Sequence, residues 1–371
     1  SLYPNIIRTR NISPETVRCG CCETDDVPGL GYSICEHDGY LPEVLGPLID
    51  ARSEIKAEIP DAEGDELERL EAASSAIKWI LVSCFGYQGF SNAKFGRIEC
   101  HEAINAFARE ILLDAKAALE DAGWRVVHGI VDSIWVTPAD GREQRPLEEV
   151  AGEVSAEVGI ELEYECAFDW VAFCPMRNSE SGALTRYFGK RRGEEYPKAG
   201  LGDAIKTRGI EGRQRSTPTW VEDVQHEALR VFDKTRSPEA VCDVLRRRFR
   251  ALREGAVDPS ELVVDNRVSK DVDDYTMETL TVAALKRARI EGAGLAPGQT
   301  VRYVVVDADA RGSSRVRLEY EEVDRYDTSW YENAAVRAVE SILAPAGWRE
   351  GEIQQYLSGT SDETLAGFVD G

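Results

Sequence analysis

The chain has 371 residues, 43% hydrophobic and 30% charged, which excludes a disordered polyelectrolyte and is long enough for two or three subdomains. Its formal net charge is −23 and arginines outnumber lysines by 34 to 10, a balance that suits either a halophilic cell interior or a protein that avoids nonspecific nucleic-acid contact; at ~1 M salt the Debye length is ~3 Å, so the net charge does not exclude a local DNA groove. No apolar run approaches the ~20 residues needed to span a bilayer, so no membrane partner and a cytoplasmic location are expected.

In chain order, cysteines come first. Of nine, Cys84, Cys100, Cys166, Cys174 and Cys242 lie singly among apolar or helical neighbours and read as small core residues. Cys19, Cys21, Cys22 and Cys35 crowd into VRCGCCETDDVPGLGYSICEHDG. In a reducing compartment that cluster points to Zn2+ or an iron–sulfur cluster, with His37 as a further candidate ligand; the alternative is a surface loop of free thiols. Apolar spacing predicts a helix over 40–58, a break at Pro60 and Gly64, and a second helix from 66 to 84, together a helical hairpin. A third helix is expected over 101–122 with Gly123 as its C-cap. VVHGIVDSIWV (126–136) predicts two short strands around a tight tip that carries Asp132 and Ser133. Strand-like segments follow at 157–174 and 183–188, and an exposed loop at 189–203. A helix over 217–232 with Thr219 as N-cap opens a helix-rich part, continued by helices at 237–254 and 278–291, the strand TVRYVVVDA and a final helix from 330 to 344.

Three stretches in this order resemble a family B DNA polymerase of the archaeal type. SLYPNII (1–7) is similar to the end of the first catalytic motif, D-x-x-S-L-Y-P. KWILVSCFG (78–86) resembles the fingers motif K-x-x-x-N-S-x-Y-G, with Val82 and Phe85 in place of Asn and Tyr. HGIVDS (128–133) stands where the family has Y-G-D-T-D-S, with His128 for Tyr and Ile130 for the first Asp. TRGIE (207–211), VSKDVDDY (268–275), APGQTVRYVVVD (296–307) and WYENAAVRAVESIL (330–343) are similar to stretches at the end of the palm and in the thumb, so the resemblance covers nearly the whole chain. The degenerate hairpin motif is similar to a divergent archaeal branch often described as inactivated. The resemblance implies a mixed α/β right-hand polymerase fold: a palm start with a cysteine-rich loop over 1–38, a two-helix fingers hairpin over 39–85, an α/β palm over 86–215 and a mainly helical thumb over 216–371.

The activity so implied is template-directed transfer of dNMP to a primer 3′-OH with Mg2+ or Mn2+. Such transfer needs two divalent ions about 3.5–4 Å apart on carboxylates held by rigid elements. Asp132 matches the second Asp of the hairpin motif, and Glu211 an additional carboxylate near the metals. Arg52 and Lys56, four apart on one helix face, match the family's R-x-x-x-K, and with Lys78 would hold the triphosphate. Leu2 would offer its backbone, Tyr3 would pack under the sugar and disfavour a 2′-OH, and Phe85 completes the nucleotide set. Arg186 and Tyr187 in LTRYFGK, with Arg208 and Lys270, would touch the duplex, whereas RRRFRALR (246–253) either tracks phosphates or coats a helix.

Two departures weigh against full activity. Ile130 cannot ligate a hard cation, which takes oxygen ligands. The first motif's Asp would stand three residues before Ser1, on an N-terminal polymerase segment divided from this chain by an intein, a split gene or fragmentary sequence. The chain alone is therefore expected to be impaired or inactive; the alternative is a catalytically dead module that binds primer–template or scaffolds replication and repair proteins. Primer–template DNA, dNTP and a sliding clamp are the remaining partners the resemblance implies.

Overall fold

The computed structural model describes residues 2–176, 179 and 181–359. The chain divides into two compact units, Ser1–Glu165 and Cys166–Gly371. Among the described residues no helix is long and apolar enough to cross a membrane.

The first unit packs α1 (Leu2–Thr9), α2 (Tyr40–Glu58), α3 (Gly64–Gln88) and α4 (Ile98–Asp121) against one another. The expected hairpin is present, since α2 and α3 pack together across a connection of only five residues. α1 contacts all three of the others, and its Ile6 and Ile7 join Leu41, Leu45, Leu81, Ile104 and Phe107 in one buried cluster. The first motif is thus helical. α4 buries Cys100, Ala103, Ile104, Phe107, Ala115 and Leu119 along one stripe, the three-and-four spacing of a helix that faces a core. It stops at Gly123, whose φ of 88° and a Glu143 carbonyl only 2.2 Å from where a Cβ would stand leave no room for another residue.

β1 (Trp124–Ile130) and β2 (Ser133–Pro138) form an antiparallel ribbon that lies on α4. Between Val126 and His128 the register slips, leaving Val127 as a bulge. The strand expected over 157–174 begins later. Residues 147–158 instead form α5 (Leu147–Val158), because Val150, Ala151, Val154 and Val158 recur at helical spacing and all are buried.

Among its described residues the second unit holds two three-stranded antiparallel sheets. One is β3 (Phe168–Pro175), β4 (Gly182–Arg191) and β5 (Ile205–Arg208); the other is formed by β6 (Val264–Arg267), β7 (Thr300–Val305) and β8 (Val316–Leu318). Helices α6 (Thr219–Thr235), α7 (Pro238–Arg253), α8 (Leu280–Ile290), α9 (Thr328–Leu343) and α10 (Glu350–Ser358) share a single core with both sheets. Thr219 is the first helical residue of α6 and not its cap: Pro218, in extended backbone, precedes it, and no side chain caps the end. α7 carries the arginine-rich stretch. Arg247 and Arg248 both pair with Glu227, and Arg253 pairs with Glu332 at 2.6 and 2.7 Å, so these cations already have acidic partners within the chain.

Tyr331 pins α9 to this core. It is fully buried, its hydroxyl donates to the Leu262 carbonyl at 2.7 Å and accepts from the Val305 N–H at 2.9 Å. Tyr331→Phe is expected to cost about 1–3 kcal/mol, because it strands two buried polar groups while leaving the ring in place. A urea unfolding midpoint unchanged from the parent would refute that assignment.

Candidate functional site

In the first unit, Tyr3, on the first turn of α1, stacks on Phe85 of α3 with ring centroids 4.0 Å apart. Phe85 stacks in turn on His101 of α4 at 4.3 Å, and the His101 Nδ1 stands 3.3 Å from the Phe85 carbonyl oxygen. Three helices therefore contribute one ring each to a continuous stack. A Cβ at Gly89 would lie 3.1 Å from the His101 imidazole, close enough that the ring would have to shift by a few tenths of an ångström. His101 escaped the sequence reading: no motif marks it, and its place depends on how α3 and α4 pack.

Burial, and after it the Asp132 carboxylate, push the Tyr3 phenol above its ordinary pKa. That coupling places the hairpin tip within electrostatic reach of the stack. Asp132 is itself exposed, and among the described residues no cation pairs with it. It is one of two residues in the turn between Ile130 and Ser133; the other, Val131, sits at φ 53°. A β-branched side chain in left-handed backbone is a genuine outlier, with a cost on the order of 1–3 kcal/mol, and such strain collects where a turn has to hold one geometry for function. Ile130 ends β1, half-buried, and offers no oxygen.

The three phosphate-binding candidates lie on the hairpin of helices. Arg52 is half-buried on α2 and its Nε has no hydrogen-bond partner among the described residues. Lys56, one turn on, makes a 3.5 Å pair with Glu163; both groups are solvated, so that pair is weak. Lys78 is exposed on α3. Leu2 is half-buried beside Tyr3 in the same apolar cluster.

The second unit brings Arg186, Glu211 and two further residues into one network. Glu211 accepts from Arg186 at 2.9 Å and from Gln225 at 3.1 Å. Arg186 also donates to the Gly209 carbonyl and to the Ser341 hydroxyl, and the fully buried Gln225 donates to the Ala338 carbonyl and accepts from the Gly212 N–H. The TRGIE stretch needs its glycine: Gly209 has φ 67°, and a Cβ would stand 2.3 Å from the Thr185 carbonyl. Tyr187 is 1% exposed, its ring against Phe173, whereas Arg208 and Lys270 are exposed. Gln225 and Ser341 carry no sequence signal, since each is an ordinary polar residue on a helix until α6 and α9 pack.

The four N-terminal cysteines meet, their Sγ atoms all within 4.8 Å of one another, which is a group that could hold a metal; His37 is not among them. The Cys19–Cys21 hydrogen bond lowers the Cys19 thiol to about 6 and pushes the Cys21 thiol up to about 12.

The first unit thus holds a β-hairpin tipped by Asp132 and a helical hairpin that carries Arg52, Lys56 and Lys78. In the solved structures, the family B DNA polymerase of Pyrobaculum calidifontis superposes with a TM-score of 0.57 at 23% identity, over 93% of this chain and 44% of that one. Residues 1–153 match the family model for DNA polymerase family B. A DNA polymerase of Thermococcus gorgonarius is 28% identical over 95% of this chain and 45% of its own length, and DNA polymerase 2 of Saccharolobus solfataricus is 34% identical over 68% and 35%. The chain is therefore a relative of the archaeal family B DNA polymerases, and it spans about half the length of the curated relatives it matches.

Proposed function

We propose that this chain supplies the nucleotide-binding and primer-extending region of a family B DNA polymerase, adding dNMP to a primer 3′-OH on a DNA template. In this reading residues 1–38 and 86–215 form the palm, 39–85 the fingers and 216–371 the thumb. The observation that carries it is the Tyr3–Phe85–His101 stack within electrostatic reach of Asp132, an aromatic wall near a carboxylate that no cation among the described residues pairs. Tyr3 is the wall against which a deoxyribose packs. The Arg52 guanidinium, whose Nε has no partner among the described residues, and Lys56 and Lys78 hold the triphosphate. Arg208, Lys270 and Arg186 belong to the DNA-facing part of the second unit, whereas Tyr187, buried against Phe173, does not reach the duplex itself and Glu211 is held by Arg186; a sliding clamp is the further partner implied.

A divalent Mg2+ or Mn2+ would neutralise phosphate charge and lower the pKa of the primer hydroxyl when bound. The residues fit one such ion and not a pair: Asp132 is a free oxygen ligand, Ile130 offers none, and Glu211 is taken up by Arg186 and Gln225. Synthesis by this chain alone is accordingly impaired. Ile130 also favours a second reading, a primer–template-binding module without catalysis.

Equilibrium dNTP binding in the presence and absence of Mg2+ separates the two. The polymerase reading expects Mg2+-dependent affinity that Arg52→Ala weakens at least tenfold, about 1.4 kcal/mol. DNA binding with no such dNTP affinity would establish the non-catalytic module.

A further inference from the structure

Between α1 and α2 the chain makes a long excursion whose two arms are pinned together. The Cys35 N–H donates to the Thr16 carbonyl at 2.9 Å, Val17 bridges Ile34, and the Arg18 N–H donates to the Ser33 carbonyl at 2.8 Å. Left-handed backbone at Arg18 (φ 50°) and Gly20 (φ 80°) then curls the CGCC turn back over the end of the second arm. The result sets Cys19 Sγ 2.8 Å from Cys21, Cys21 3.5 Å from Cys35 and 3.8 Å from Cys22, and Cys22 3.9 Å from Cys35.

Nothing in the packing requires this convergence. Cys35 alone is buried, Cys21 is exposed, and none of the four belongs to the apolar cores of the first unit. Four neutral thiols gain little from one another, because S–H is a weak donor and sulfur a weak acceptor. Four thiolates around a common centre are a different matter. At a Zn–S distance of about 2.3 Å a tetrahedral site has sulfur–sulfur edges of about 3.8 Å. Three of the four separations fall near that edge, and the 2.8 Å one opens by a side-chain rotation. A four-iron cluster occupies the space between its cysteines and needs their sulfurs farther apart than this 4.8 Å group allows.

We propose that Cys19, Cys21, Cys22 and Cys35 bind one Zn2+ as four thiolates, and that this ion closes the 19–35 excursion and anchors the start of α2. Each thiol loses its proton to solvent as its S–Zn bond forms, and no electron changes hands. The anchoring follows from the bonds around the loop. Asn11 donates to the carbonyls of Cys35 and His37 and accepts from the Gly39 N–H; Ser13 and Glu15 accept from the Leu41 and Tyr40 N–H groups at the first turn of α2. From the other side Arg97 donates to the carbonyls of Pro14 and Arg18. The exposed Cys21 face gives the ion its way in.

The test uses the whole chain, purified reduced without added metal and then equilibrated with Zn2+ and freed of excess. One zinc per chain is expected by elemental analysis, with loss of at least nine-tenths of it in Cys21→Ser and Cys35→Ser and retention in Cys84→Ser. Should either variant fail to fold, the unaltered chain decides: chelation should expose four newly alkylated cysteines, at 19, 21, 22 and 35, and speed protease cleavage within 19–35 at least tenfold. No retained zinc, iron with acid-labile sulfide in its place, or alkylation elsewhere would overturn the site. Zinc released with no change in cleavage would overturn its anchoring role.

Discussion

Asp132→Ala is expected to abolish Mg2+-dependent nucleotide binding and to lower primer extension at least ~10³-fold, about 4 kcal/mol of transition-state stabilisation. The size follows from the hairpin tip. Asp132 is its one carboxylate, and the neighbouring Ser133 hydroxyl is a neutral, weaker ligand. No cation of the chain pairs with Asp132 among the described residues, so the substitution breaks no ion pair and the exposed side chain leaves no cavity; the unfolding midpoint should hardly move. Extension assayed on primer–template with Mg2+ and with Mn2+ checks this, beside a denaturation curve. Retained extension in the variant would remove Asp132 from the chemistry and with it the hairpin's proposed role.

Ile130→Asp should act in the opposite sense, raising Mg2+-dependent extension or dNTP affinity at least tenfold. Ile130 pairs with Ser133 across the turn, so the new carboxylate would flank the tip two residues from Asp132 and give a divalent ion a second hard ligand. The gain carries two costs. Ile130 is half-buried and surrenders part of the ~1.5–3 kcal/mol that full burial of its side chain would contribute. Without the ion the two carboxylates also repel, so stability in chelator should fall below that in Mg2+, and the difference between the two unfolding midpoints is a direct readout of the new ligand. An unchanged Mg2+ response would show that the missing oxygen at 130 is not what limits this chain, and would move attention to the second unit.

These two substitutions differ in kind from Tyr331→Phe. Tyr331 answers for stability because its hydroxyl satisfies two backbone groups with no access to water. Asp132 costs the fold almost nothing, and even strained backbone at Val131 keeps it at the apex of the turn. Core and site therefore use opposite economies of exposure, and a stability screen alone would miss the residue on which the proposed chemistry depends.

What the amino-acid sequence determined by itself was local. Helical spacing in α2, α3, α4 and α7, the turn at 131–132 and the stop at Gly123 could be read because each depends on residues a few positions apart and on backbone that few side chains tolerate. Ordered motifs likewise sufficed to mark the relationship to family B DNA polymerases. Tertiary structure decided what those residues face. The ring of His101 lies sixteen positions beyond Phe85, Gln225 and Ser341 reach the Glu211 network from α6 and α9, and the four cysteines converge only because two arms of a loop pair and two left-handed residues turn one over the other. The physical reason is the same in each case: a side chain's partners across the sequence are set by helix packing and loop closure, whose geometry no short window of residues contains.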